Sequence, residues 1–194
     1  MWKQINLPNK LTIARVIAVP FFIAAYMKGW YLPAFVIFIL ASLTDTLDGK
    51  IARRYNLVTN FGKIMDPLAD KILVYSAFCL MIPDLVPGWM LIIILAREFT
   101  IAGMRTVAAS EGIVIAAGMS GKIKTVLQMI AVPMLLLVPL LTNIYQEHMG
   151  AGFLSQELYH AYVIAANAFL WASLVMTVYS GVEYVWKNKS VFSM

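Results

Sequence analysis

The chain is 194 residues long, 61% hydrophobic and only 13% charged, with a formal net charge of +5 and a mean hydropathy of +0.79. Soluble domains carry roughly 25% charged residues, so a single soluble core is excluded and the bilayer is the expected solvent. The charge is mild, no nucleic-acid partner is expected, and the lone Cys79 excludes an internal disulfide.

Residues 1–10 read as an interfacial segment in which Trp2, Ile5 and Leu7 alternate with polar residues, and Pro8-Asn9 reads as a turn. Thr12 then caps a first span that runs to about Met27 and contains Pro20. Lys28-Gly29-Trp30 is a tight turn with an interfacial aromatic. A second span starts near Tyr31 and carries Asp45 and Asp48 at its far end. A third starts between Thr59 and Gly62 and ends by Ile82, holding Asp66 and Asp70. After a Pro/Gly loop, the fourth runs from Trp89 to about Ala109. The fifth runs from Ser120 to Leu141, and the sixth from about Leu158 to Trp186.

Several of these apolar runs fall short of the roughly 20 residues a span needs. They reach that length only when the polar helix ends around Asp45–Arg53 and Gly62–Asp70 are included. The expected fold is therefore all-α and integral to the membrane, with six transmembrane helices in one domain over 1–194 and the bundle over 11–189. An even number of spans puts both termini on one side. Lys3, Lys10, Lys50, Arg53, Arg54, Lys63, Lys122, Lys124, Lys187 and Lys189 all fall on that side, against only Lys28 opposite. The positive-inside rule makes it the cytoplasm.

Four of the ten acidic residues lie between Asp45 and Asp70. At about 100° per residue, Asp45 and Asp48 share one helical face, and Asp66 and Asp70 share another. Four carboxylates brought together repel unless a cation sits between them. An all-oxygen set suits a hard ion such as Mg²⁺ or Mn²⁺.

The full pattern is D-x-x-D-G-x-x-A-R, eight residues, then G-x-x-x-D-x-x-x-D, carried by Asp45, Asp48, Gly49, Ala52, Arg53, Gly62, Asp66 and Asp70. It resembles, position for position, the signature of the CDP-alcohol phosphotransferases. The resemblance implies a six-helix membrane enzyme, usually homodimeric, that moves a phosphatidyl or similar group from a CDP-linked donor to an alcohol and releases CMP. It implies two divalent ions on Asp45, Asp48, Asp66 and Asp70, with Asp70 also the general base. Gly49 and Ala52 leave room for the cytidine, and Arg53 suits the pyrophosphate as a planar multi-donor cation. Thr59 and Gly62 are weaker candidates near the donor. By the same resemblance, Asn9, Thr12 and Arg15 approach the donor from the N-terminal side.

A second informative stretch runs from Leu95 to Thr125. Arg97 lies about nine residues into its span, where a charge costs roughly 2.5–3.5 kcal/mol, so it is expected to face the bundle. Glu98 is expected to pair with some arginine other than Arg97, since adjacent helical positions do not face each other. Ser120 caps the fifth helix, with Lys122 and Lys124 in its first turn, where cations oppose the helix dipole. A bound anion relieves that conflict. Arg105, Lys122, Lys124 and Ser120 are thus the candidate phosphate pocket for the acceptor, and Arg97 either extends it or pairs with an interior carboxylate. A phosphorylated polyol fits such a pocket better than a neutral alcohol. A-R-E-F, G-x-R-T-x-A and G-K-I-K-T, with NLPNKLTIAR at the start, resemble the branch of the family that joins CDP-diacylglycerol to glycerol 3-phosphate. Other acceptors (inositol phosphate, phosphatidylglycerol, serine), an intramembrane prenyltransferase and a divalent-cation transporter are the rival readings. His148, His160 and Glu183 are read as incidental.

Overall fold

The structure is a computed structural model. It describes residues 6–54, 59–116, 118–147 and 155–189, with the backbone alone for 7–8, 45–54, 60 and 63. The interfacial residues Trp2 to Ile5 and the loop residue His148 lie outside the described residues. Six helices follow in order: α1 Leu7–Met27, α2 Tyr31–Arg54, α3 Asn60–Leu80, α4 Gly88–Ser110, α5 Met119–Glu147 and α6 Gln156–Lys187. All six expected helices are present.

The N-terminal end of α1 departs from expectation. Pro8-Asn9 is not a turn but lies in the first turn of α1, where proline's missing N–H costs nothing and its fixed φ suits the helix. Thr12 is consequently five residues inside the helix and caps nothing. Thr59 does cap α3: its hydroxyl accepts from the Gly62 N–H at 3.0 Å. Ser155 caps α6 through Leu158 N–H in the same way. Lys28-Gly29 turns the chain after α1, with Gly29 at φ +73°, where a side chain would be strained.

Among the described residues, three helices are long and apolar enough to cross a bilayer: Asn9–Met27, Met119–Glu147 and Gln156–Lys187. Tyr31–Thr44 is a shorter apolar stretch. α3 and α4 carry charges inside their apolar windows, respectively Asp66, Asp70 and Lys71, and Arg97, Glu98 and Arg105. Length and apolarity mark the chain as a membrane protein.

The chain divides into two compact units, Met1–Met81 with Leu136–Glu147, and Ile82–Leu135 with His148–Met194. In the first, α1 packs on α2 and α3 through a stripe at helical spacing: Asn9, Thr12, Arg15, Val19, Phe22 and Ala25 are all buried. Phe22 meets Phe38 of α2 with ring centroids 5.8 Å apart. Ala69, Leu73, Ala77 and Phe78 continue the core on α3. The polar end of this stripe, Asn9 to Arg15, is the part that bears on chemistry.

In the second unit α4 and α6 run parallel. Trp89 meets Trp171, Arg97 meets Ser180 and Arg105 meets Tyr184, in the same order along both helices. The first part of α5 runs against them: Ser120 is level with Glu183, and Met134 with Tyr162, whose hydroxyl donates to its carbonyl at 2.9 Å. α6 carries a buried polar stripe of Ser173, Thr177, Ser180 and Tyr184.

Candidate active site

In the first unit, polar oxygens converge on Gly62. A Cβ built there would stand 3.2 Å from Asn9 Oδ1, 3.3 Å from Asp66 Oδ2 and 3.4 Å from Thr59 Oγ1. A Cβ there would be tighter than ordinary contact, so a side chain would crowd the space among the three oxygens. The oxygens are tied to one another. The Thr59 hydroxyl donates to Asn9 Oδ1 at 3.0 Å while accepting from Gly62 N–H. Thr12 Oγ1 donates to Asp66 Oδ1 at 2.5 Å, across 54 residues of sequence. That hydroxyl orients the carboxylate and turns its other oxygen toward Gly62.

Five sequence candidates, Asn9, Thr12, Thr59, Gly62 and Asp66, are thus brought together, and Asp70 follows one turn later on α3, half-buried. Helix α2 continues through Asp45, Asp48, Gly49, Ala52 and Arg53, but the side chains of these five candidates lie outside the described residues. Among the described residues no three of Asp, Glu, His and Cys stand together as a metal cluster. The donor set around Gly62 is nonetheless entirely oxygen, with one carboxylate held in a fixed rotation. This is the chemistry a hard divalent cation takes, and the residues fit such an ion.

The five candidates of the second stretch are arranged differently from expectation. Arg97 lies level with the first turn of α5, packed between two glycines. A Cβ at Gly181 would be 3.0 Å from its Cγ, and one at Gly121 would be 3.1 Å from its Nη2. Its Nη2 donates to Ser180 Oγ at 3.0 Å and its Nη1 to Glu98 at 2.9 Å. The expectation that Glu98 avoids its neighbour is therefore wrong. The Cβ atoms of adjacent positions diverge, but both side chains are long enough to curl to a common point. Glu98 also receives Lys124 Nζ at 2.6 Å, and the two side chains are 12% and 4% exposed.

Lys124 is accordingly a buried ion-pair partner of Glu98, not an open cation. Ser120, one residue into α5, stands beside Glu183, whose carboxylate takes Lys187. The dipole conflict read from the sequence at the start of α5 is met at Lys124 by the chain's own Glu98. Arg105 and Lys122 are exposed. Arg105 donates to the Tyr184 hydroxyl at 3.0 Å and lies over that ring, 5.5 Å from its centroid. Sequence reasoning missed Ser180, Gly181, Gly121 and Tyr184. The available signal was the small and polar stripe along an otherwise apolar α6.

Comparison with known proteins bears on all of this. Residues 5–179 match the family model described as CDP-alcohol phosphatidyltransferase. The chain is 42% identical to a Bacillus subtilis protein named CDP-diacylglycerol–glycerol-3-phosphate 3-phosphatidyltransferase, over 94% of this chain and 95% of that one. It is 36% identical to proteins of the same name from Rickettsia felis, over 96% and 97% of the two chains, and from Shigella flexneri, over 88% and 92%.

Proposed function

The chain belongs to the CDP-alcohol phosphatidyltransferase family, and from that membership we infer its reaction. It transfers the phosphatidyl group of CDP-diacylglycerol to glycerol 3-phosphate, giving phosphatidylglycerophosphate and CMP, a step of phospholipid biosynthesis. The observation that carries this is the likeness, over nearly the full length of both chains, to three proteins bearing one name.

In this reading a glycerol 3-phosphate hydroxyl attacks the phosphorus that carries the diacylglycerol, Asp70 takes the hydroxyl proton, and CMP leaves with the electrons of the broken pyrophosphate bond. Asp45, Asp48, Asp66 and Asp70 would hold two Mg²⁺ or Mn²⁺ ions, which supply charge neutralisation of the pyrophosphate. Arg53 pairs with the pyrophosphate, and Gly49 and Ala52 let the cytidine lie against α2. Asn9, Thr59 and Gly62 border the donor, supported by the convergence of their atoms with Asp66.

Arg105 and Lys122, the two exposed cations of the second stretch, take the acceptor phosphate. Arg97 and Lys124, both bonded to Glu98, tune the charge behind them, and Ser120 opens the helix that carries Lys122 and Lys124. The remaining features of the reading are six spans in one domain, both termini and the Asp motif on the cytoplasmic side of the cell membrane, and a homodimer.

The test is CMP release by purified protein in lipid vesicles with CDP-diacylglycerol and Mg²⁺ or Mn²⁺. Glycerol 3-phosphate is compared with glycerol, inositol phosphate, serine and phosphatidylglycerol. Release specific to glycerol 3-phosphate and lost on chelation is expected. Release that prefers another acceptor would overturn the acceptor assignment, and release unaffected by chelator would overturn the metal assignment.

A further inference from the structure

Three residues of α1 form a polar ladder at i, i+3 and i+6: Asn9, Thr12 and Arg15, exposed by only 4%, 0% and 1%. Burying such groups in an apolar helix is unfavourable unless each finds a partner, and each rung reaches a different partner in or beside the Asp motif. Asn9 Oδ1 accepts from Thr59, the cap of α3. Thr12 donates to Asp66 Oδ1. Arg15 Nε donates to the Ala41 carbonyl at 3.2 Å. That carbonyl also receives the Thr44 hydroxyl at 2.6 Å, and the α-helical pattern assigns it the N–H of Asp45 as well. A guanidinium and a hydroxyl therefore converge on the turn of α2 that leads directly into Asp45.

We propose that Thr12 and Arg15 are positioning residues of the transfer reaction. Thr12 fixes the rotation of the Asp66 carboxylate so that Oδ2 is the oxygen offered to a cation, and Arg15 fixes the turn of α2 from which Asp45 follows. Neither acts by touching substrate. The proposal rests on the reading of the Asp motif as a divalent-cation site. A carboxylate whose second oxygen is hydrogen-bonded has one orientation to offer. Partners that hold a metal's ligands in this way typically change its affinity by about 10–100-fold when removed.

The experiment is Mn²⁺ binding by the purified full-length protein, followed by loss of the free-ion EPR signal without substrate, alongside the kinetics of CMP release. Thr12→Val keeps the shape and removes the hydroxyl. It is expected to weaken Mn²⁺ binding by about tenfold or more and to raise the Mg²⁺ concentration for half-maximal rate in the same proportion. The KM for glycerol 3-phosphate should stay as it is. Thr12→Ser, which restores the donor, should return Mn²⁺ binding to within about threefold of wild type. Arg15→Lys keeps the charge but loses the Nε–H, and should weaken Mn²⁺ binding several-fold.

Mn²⁺ binding unchanged in Thr12→Val, or weakened equally in Thr12→Ser, would overturn the role of Thr12. Unchanged binding in Arg15→Lys would overturn that of Arg15. Thr12→Ala replaces the valine variant if the latter does not elute as folded protein. Asp66→Asn separates the two levels of the argument. If Asp66→Asn binds Mn²⁺ like wild type, the cation reading itself falls and the proposal with it. If Asp66→Asn loses binding while Thr12→Val retains it, only the proposal falls.

Discussion

The two units handle buried polarity in opposite ways. In the unit built on α1–α3, polar side chains converge through their oxygens: Asn9, Thr59 and Asp66 face one bare glycine, and the hydrogen bonds among them fix where those oxygens stand. In the unit built on α4–α6, charge is matched against charge. Glu98 takes both Arg97 and Lys124. An arrangement that collects oxygens of one character suits a cation supplied from outside. An arrangement that pairs opposite charges is largely satisfied by itself. The first region therefore has the character of a site, and the second that of a frame with two exposed cations, Arg105 and Lys122, on it.

The largest effect that can break this contrast is at Asp66. Asp66→Asn keeps the acceptor for Thr12 but removes the negative charge. It should lower kcat by about 10³-fold or more, as loss of a charge-stabilising group at such a site does, while the protein still inserts and elutes normally. A rate within tenfold of wild type, measured by CMP release, would remove Asp66 from the chemistry.

Next comes Glu98→Gln, which leaves two cations of the frame without their carboxylate. Breaking a buried pair costs about 3–5 kcal/mol, so thermal stability should fall clearly in a melting measurement. An unchanged melting temperature would show that the frame does not depend on this pair.

Gly62→Ala sharpens the contrast because its two effects have opposite sign. Alanine in a helix is favoured over glycine by roughly 0.5–1 kcal/mol, so stability should hold or rise slightly. The new Cβ crowds Asn9, Thr59 and Asp66, and should raise the KM for CDP-diacylglycerol by about tenfold, or ~1.4 kcal/mol of binding. A stability loss with unchanged KM would make the glycine a packing residue. The smallest effect is expected at Lys187→Met. The Lys187–Glu183 pair is largely in solvent on the lysine side, and neither melting temperature nor rate should change measurably.

Much of the fold was legible because membrane helices announce themselves by apolar length. The ends of five of the six helices fall within a few residues of where composition puts them, α5 running on to Glu147. The start of α1 was misread because Pro8-Asn9 is equally good as a turn and as a helix's first turn. Only the partners of residues 9–15 on α3 and α2 decide between them. The Asp motif can be read from sequence because its spacing is local, and local spacing on a helix fixes a face; of its carboxylates, Asp66 and Asp70 are the two among the described side chains. The links that give the site its shape were not. Thr12 to Asp66 and Asn9 to Thr59 are contacts between helices, and nothing within the sequence of α1 says which carboxylate a buried threonine will meet. The Arg97–Glu98 pair escaped for a different reason: the rule for adjacent positions concerns Cβ directions, and two long side chains can defeat it.

The most direct test of this division is a crossed pair of steady-state measurements on Gly62→Ala and Arg105→Gln, with the KM for each substrate determined separately. The account predicts that Gly62→Ala raises the KM for CDP-diacylglycerol and leaves that for glycerol 3-phosphate unchanged, while Arg105→Gln does the reverse, by about tenfold in each case. If Arg105→Gln weakens the lipid donor instead, or if both variants shift both constants together, the two regions do not divide the substrates between them, and the central claim is contradicted.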